Sequence, residues 1–180
     1  MKKEKKEIKI GNVYIGSTHS VKIQSMANTT TSNISETINQ ITTLESAGCQ
    51  IIRVAVQDES DAKAISEIKK AIHIPIVADI HFDYLLAIES IKAGADKIRI
   101  NPGNIGSFEK VKAVIDVAKE YDIPIRIGVN SGSIDSEILK KYNNEPTIDA
   151  MIESIDKYIK FFEENSFYNL VLSVKTTNPF

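Results

Sequence analysis

The sequence predicts an α/β chain of the (β/α)8 TIM-barrel type, incomplete, with about six βα units across residues 1–180. Three observations carry that expectation. Short β-branched apolar runs alternate with stretches of helical period, as parallel βα units require. "AGCQIIR" (47–53) returns as "AGADKIR" (93–99), and "IPIV" at 74 returns as "IPIR" at 123, a spacing of roughly two βα units that fits a barrel of similar quarters. The stretch after the first run, "MANTTTSN", lacks the G-x-G-x-x-G turn of an open dinucleotide fold.

In chain order, "MKKEKKE" reads as a solvated end, and the first strand is expected at 19–26, "HSVKIQSM". A helix follows at about 35–47, with Ser35 as its start signal and Gly48 as its left-handed stop. Strands are then expected at 50–56, 74–80, 96–101, 123–129 and 169–175, where isoleucine and valine dominate. Helices at about 60–71, 83–93, 108–121 and 148–164 fill the gaps. Asp83, Ser107 and Thr147 suit their N-caps, and Gly94 suits the C-terminal end of one of them. Cys49, between a helix stop and a strand, reads as a small buried thiol, and His19 and His73 are given no function.

The bulk numbers narrow the partner. A net charge of −2 gives no basic surface for a nucleic acid, and no apolar run is long enough to span a membrane. The charged start has no apolar h-region behind it, so a cytoplasmic location is expected. One cysteine rules out an internal disulfide and cannot assemble a metal or iron–sulfur site by itself. Of 22 basic residues only three are arginine, Arg53, Arg99 and Arg126, so each marks a place where lysine would not serve.

Strand parity gathers these arginines. Residues two apart face one side of a strand, so the C-terminal strand ends present Arg53 with Gln57, Asp79 with His81, Arg99 with Asn101, Arg126 with Gly128 and Asn130, and Ser173 with Lys175. In barrels that end carries the site. Three permanently charged, planar forks around one mouth suit a ligand with two phosphates. Asn101 and Asn130 add neutral donors, Lys175 adds a point charge, and "NPGNIG" and "NSGSI" are loops able to bring backbone N–H groups near an anion. Asp79 and His81 are the candidates for proton movement. A structural reading competes: Arg99 paired with Asp79 in an ion pair, and His81 merely supporting its neighbours.

At "VKIQSM", "RVAVQ", "VADIHFD", "KIRINPGNIG", "PIRIGVNSGS" and "LSVK", in this order, the chain closely resembles the N-terminal barrel of the bacterial 4-hydroxy-3-methylbut-2-enyl diphosphate synthase family, from about residue 8 to 175. The resemblance implies an oxidoreductase of the methylerythritol phosphate route to isoprenoids, which reductively opens the ring of 2-C-methyl-D-erythritol 2,4-cyclodiphosphate. It further implies Arg53, Arg99, Arg126 and Lys175 as phosphate-binding residues, Asn101 and Asn130 as their hydrogen-bonding neighbours, and Asp79 and His81 as the pair at the mouth. The family uses a [4Fe-4S] cluster fed by reduced flavodoxin or ferredoxin, on a C-terminal domain that closes over the partner subunit's barrel in a homodimer. Three cysteines and a glutamate of that later domain hold the cluster, and these ligands are absent from this chain. The expectation is therefore a partial substrate-binding barrel over 1–180, a fragment or one half of a split enzyme, inactive alone. The alternative is a pterin- or phosphate-binding barrel related to dihydropteroate synthase, which needs no cluster.

Overall fold

In the computed structural model, which describes residues 6–175, six parallel strands form one sheet in the order of the chain. They are β3 (Gln24–Met26), β4 (Ile51–Val56), β5 (Ile76–Ile80), β6 (Lys97–Ile100), β7 (Ile125–Asn130) and β8 (Leu170–Lys175). The order never reverses. Every crossover advances by one strand, as in a winding barrel rather than a doubly wound sheet. The crossovers carry α1 (Ile34–Ser46), α2 (Glu59–Ala71), α3 (Tyr84–Lys92), α4 (Pro102–Ile105) with α5 (Phe108–Glu120), and α6 (Ser136–Lys141) with α7 (Ile148–Glu164). Among the described residues β3 and β8 are unpaired on their outer edges, so the barrel is incomplete, as the sequence predicts.

The larger core lies between strands and helices. Ile52, Val54, Ile76, Ile80, Ile98, Ile100, Ile125 and Ile127 leave one face of the sheet and meet Ile41, Ile65, Ile91, Val111, Ile115 and Phe162 from the helices. Each such side chain, fully withdrawn from water, contributes about 1.5–3 kcal/mol. The helix starts follow local chemistry. Asp58 accepts from Asp61 N at 3.0 Å, Asp83 from Leu85 N at 2.9 Å and Thr147 from Ala150 N at 3.1 Å. Gly48 and Gly94 stop α1 and α3 with φ of 98° and 97°, where a Cβ would be strained. Ser35 is not the cap of α1. Asn33 holds that position, and its Nδ2 donates to Glu36 Oε2 at 2.6 Å, so Ser35 falls inside the first turn.

The opposite face is plugged from below. β1 (Glu7–Ile10) and β2 (Val13–Gly16) form an antiparallel hairpin whose Ile8 and Ile10 pack on Ile51 and Val77, flanked by Val13, Ile15 and Val171. The expected solvated end at 1–7 therefore stops short of Glu7, which already pairs with Gly16; residues 1–5 lie outside the described residues. Two apolar positions amid lysine and glutamate were too few to show period-two alternation in the sequence. The first sheet strand is also shorter than 19–26. Only Gln24–Met26 pairs, because β3 is a sheet edge and Val21 upstream is 95% exposed.

The hairpin turn is tightly constrained. Gly11 has φ of +55°, and a Cβ there would lie 2.7 Å from Asp96 Oδ1 and 3.0 Å from Pro75 Cβ. Asp96 cannot yield, because its carboxylate accepts from Ile76 N at 2.8 Å and pairs with Lys69. Gly11→Ala is expected to destabilise the fold by about 1–3 kcal/mol through backbone strain and this clash. A urea titration would show the midpoint lowered with the slope unchanged.

Candidate functional site

Four neighbouring strands deliver charge to the inner face above the hairpin. Arg53 on β4, Asp79 on β5, Arg99 on β6 and Arg126 on β7 meet because parallel register sets Asp79 beside Arg99 and Arg99 beside Arg126. Arg99 Nη1 donates to Asp79 Oδ1 at 2.9 Å, and Arg53 Nε approaches Asp79 Oδ2 at 3.4 Å. One buried carboxylate thus holds two guanidiniums. Arg126 takes a neutral partner, donating from Nη2 to Ser173 Oγ at 2.8 Å. Arg53 also donates from Nε and Nη2 to Met26 Sδ at 3.1 and 2.9 Å. Gly128 leaves room for this layer: a Cβ there would already touch Arg99 Nη2 at 3.5 Å.

Charge and burial give the cluster an excess of positive charge among the described residues. Burial, with the Arg53 and Arg99 guanidiniums close by, pushes Arg126 below the usual guanidinium range, and Asp79 opposes that shift. A negative ligand relieves the same repulsion. The three arginines line a cavity of about 40 Å³ together with Gly128, Asn130, Ser173 and Lys175. That volume suits water rather than a phosphate group. Beside it, Met26 lines a wider cleft of about 480 Å³, with Asn28, Thr29, Thr30, Thr31 and Gln57. This threonine loop is held rigidly. Ser32 N and Gln57 N donate to Asp61 at 2.8 and 3.0 Å, and Thr31 Oγ1 donates to Ala55 O at 2.5 Å.

Sequence parity fails where strands stop. Asp79 and His81 were expected together, yet β5 ends at Ile80 and the chain turns away. His81 is exposed and lines a separate cleft with Gln57, Phe82, Asp83 and Leu86, with no hydrogen bond to Asp79 among the described residues. Asn101 likewise lies one residue beyond β6 and precedes α4. It is buried 97% by side and main chain together, its Oδ1 has no partner, and it is not part of the guanidinium cavity. Asn130 does reach that cavity, but its Oδ1 accepts from Gly132 N at 3.0 Å. The loop amides are mostly spent internally: Asn104 N and Ile105 N donate to Asn101 O, and Ser133 N donates to Asn130 O. Lys175 lies at the exposed rim. Cys49 is buried, its Sγ donating to Ile51 O at 3.1 Å, and no trio of His, Cys, Asp or Glu among the described residues suits a metal ion. Lys97, not singled out in the sequence, shares Arg99's parity and is buried beneath it.

The GcpE TIM-barrel domain model matches residues 5–180. The 4-hydroxy-3-methylbut-2-en-1-yl diphosphate synthase (flavodoxin) of Caldicellulosiruptor saccharolyticus is 58% identical over 173 residues, covering 96% of this chain and 50% of that protein. The same-named protein of Caldanaerobacter subterraneus subsp. tengcongensis is 56% identical, covering 99% of this chain and 50% of its own length. The chain spans about half the length of the curated relatives it matches. Among solved structures, the 7,8-dihydropteroate synthase of Vibrio fischeri aligns with a TM-score of 0.67 at 15% identity, over 93% of this chain and 65% of that one. The dihydropteroate synthase of Yersinia pestis gives 0.62 at 12%, over 92% and 61%. These two likenesses show the fold alone.

The arginine layer depends on its single carboxylate. Asp79→Asn keeps the shape but leaves two half-buried guanidiniums without that counter-charge, and is expected to cost about 1–3 kcal/mol. Thermal unfolding followed by circular dichroism would show the loss, and added pyrophosphate would restore part of it by supplying negative charge.

Proposed function

The chain belongs to the GcpE TIM-barrel family, and from that premise we propose that its guanidinium cluster binds the phosphates of 2-C-methyl-D-erythritol 2,4-cyclodiphosphate, the substrate of 4-hydroxy-3-methylbut-2-enyl diphosphate synthase. The observation that carries the reading is the convergence of Arg53, Arg99 and Arg126 on one cavity, with Asp79 alone among the described residues to balance them. Each guanidinium offers paired donors to phosphate oxygens and keeps its charge at any working pH. Lys175 and Asn130 close the rim, and the threonine cleft beside Met26 is left for the hydroxylated carbon skeleton. A doubly phosphorylated ring would then be held at two points and oriented before any chemistry begins.

The protonic roles divide differently from the sequence expectation. Asp79 spends both oxygens on arginines and serves to position them, whereas His81 is exposed beside the mouth and free to meet a ligand hydroxyl. The redox step is proposed to lie on groups other than these residues. A [4Fe-4S] cluster does not fit them: the chain has a single cysteine, and it is buried and bonded to backbone carbonyls. Flavodoxin, named for the relatives, is the proposed electron donor of the complete enzyme, with reduced ferredoxin as the other carrier, and a homodimer in the cytoplasm is its proposed setting.

Calorimetric titration of the chain with the cyclic diphosphate is expected to show one site per chain, and a pterin diphosphate is expected to show none; the reverse preference would favour the dihydropteroate synthase alternative. Arg99→Lys should weaken binding by about tenfold, or ~1.4 kcal/mol, because an ammonium cannot reproduce the two-point contact. Supplied with reductant and cluster-reconstitution reagents, the 180 residues should yield no product, and sustained turnover would overturn the assignment of the redox step to other groups.

A further inference from the structure

Neither the hairpin plug nor the phosphate cavity uses Lys97. It opens β6 two residues before Arg99, so both side chains leave the strand on one face, and only 3% of it is exposed. In register it lies beside Val77, one of the residues on which the hairpin packs. Lys97 therefore lies on the rung of Val77 and Arg53, next to the apolar floor and one inward-facing position before Arg99 and Arg126. Among the described residues it has no ion pair and no side-chain hydrogen bond, and its Nζ is not one of the fully buried, unpartnered atoms, so an otherwise buried lysine keeps a narrow contact with solvent.

Its surroundings do not neutralise it. From β4 comes Arg53 and from β7 comes Arg126, both cations. Asp79 on β5 is committed to Arg53 and Arg99. β8 offers Ser173, which already accepts from Arg126, together with Val171 and the more distant Lys175. The hairpin offers Ile8 and Ile10. A cation so placed costs stability and adds positive potential to the cavity above it.

We infer that Lys97 is a positioning residue for the phosphate site proposed above: a cation held under the guanidinium layer that strengthens an anion's hold on Arg53 and Arg126 without touching the anion. The inference rests on that reading of the site. Two effects follow from the geometry. The ammonium adds positive potential to the cavity floor, where low polarity lets charge act at a distance. It also repels Arg53 and Arg126 toward the mouth, where the ligand lies. Burial first, then Arg126 and Arg53, lowers the Lys97 ammonium to about 8. An arriving anion favours the charged form, so binding above neutrality takes up a proton.

The sign for stability runs opposite to that of an ordinary ion pair. The cation is disfavoured in the fold, so stability is reduced below about pH 8 and rises with pH until the unfolded lysine discharges near 10.5.

The test is calorimetric titration of the 180-residue chain with inorganic pyrophosphate from pH 7 to 9.5, for the parent chain, Lys97→Met and Lys97→Arg. The probe's own titration is common to all three. The parent should lose about tenfold in affinity beyond that shared change as Lys97 discharges. Lys97→Met should bind weakly at every pH, and Lys97→Arg should bind tightly at every pH, both without the extra loss. In parallel, Lys97→Met should melt higher than the parent at pH 7 and equally at pH 10.5. If the parent binds pyrophosphate and Lys97→Met matches it at all pH values, the Lys97 inference falls while the site reading stands. If the parent fails to bind at any pH, the site reading falls and takes the inference with it. A lower melting temperature for Lys97→Met at pH 7 would show a structural partner and overturn the inference.

Discussion

The bond of Asp79 to Arg53 and Arg99 is the interaction on which the inner face depends. A sheet interior excludes water, and three guanidiniums gathered there would repel one another apart without a shared counter-charge. One carboxylate, 4% exposed at its side chain, bridges two of them, and a serine hydroxyl steadies the third. The compensation is incomplete in charge: with Lys97 beneath and Lys175 at the rim, five cations face one carboxylate among the described residues. What remains is a standing positive potential at the strand ends, available to a ligand that brings its own negative charge.

The rest of the molecule makes that concentration of charge tolerable. The apolar contacts that hold the fold lie elsewhere, between the outer sheet face and the helices, and at the base where the hairpin closes the floor. Apolar packing and the charged cluster are thereby assigned to opposite faces of the same strands, using nothing more than the alternation of side chains along an extended backbone. Gly128 shows the economy of this arrangement: where Arg99 must lie across the neighbouring strand, that strand presents no side chain.

Much of the site was legible because strand parity is a covalent property. Once "QIIRVAV", "IPIVADI", "DKIRIN" and "IPIRIGV" are read as parallel neighbours, Arg53, Asp79, Arg99 and Arg126 must share a face; register brings Asp79, Arg99 and Arg126 level, and Arg53, level with Val77, reaches Asp79 along the strand. The same rule contained Lys97, although a lysine among 22 basic residues drew no notice beside the scarce arginines. Parity misled at His81 and Asn101, since each lies one residue past its strand, where the backbone is free to turn. The hairpin escaped because its two buried isoleucines are interleaved with charged residues and gain their partners, Ile51 and Val77, only from distant strands.

The sequence by itself determined the βα alternation, the helix ends at Asp83, Thr147, Gly48 and Gly94, and the set of residues that face the interior, because these follow from local propensity and from the period of the backbone. Only the tertiary structure decided that Asp79 is shared by two arginines, that Arg126 turns to Ser173 instead, and that Lys97 is buried beside them without an ion pair among the described residues. Those outcomes depend on the offset between strands and on what the floor of the barrel displaces, and both are set by contacts between residues far apart in the chain.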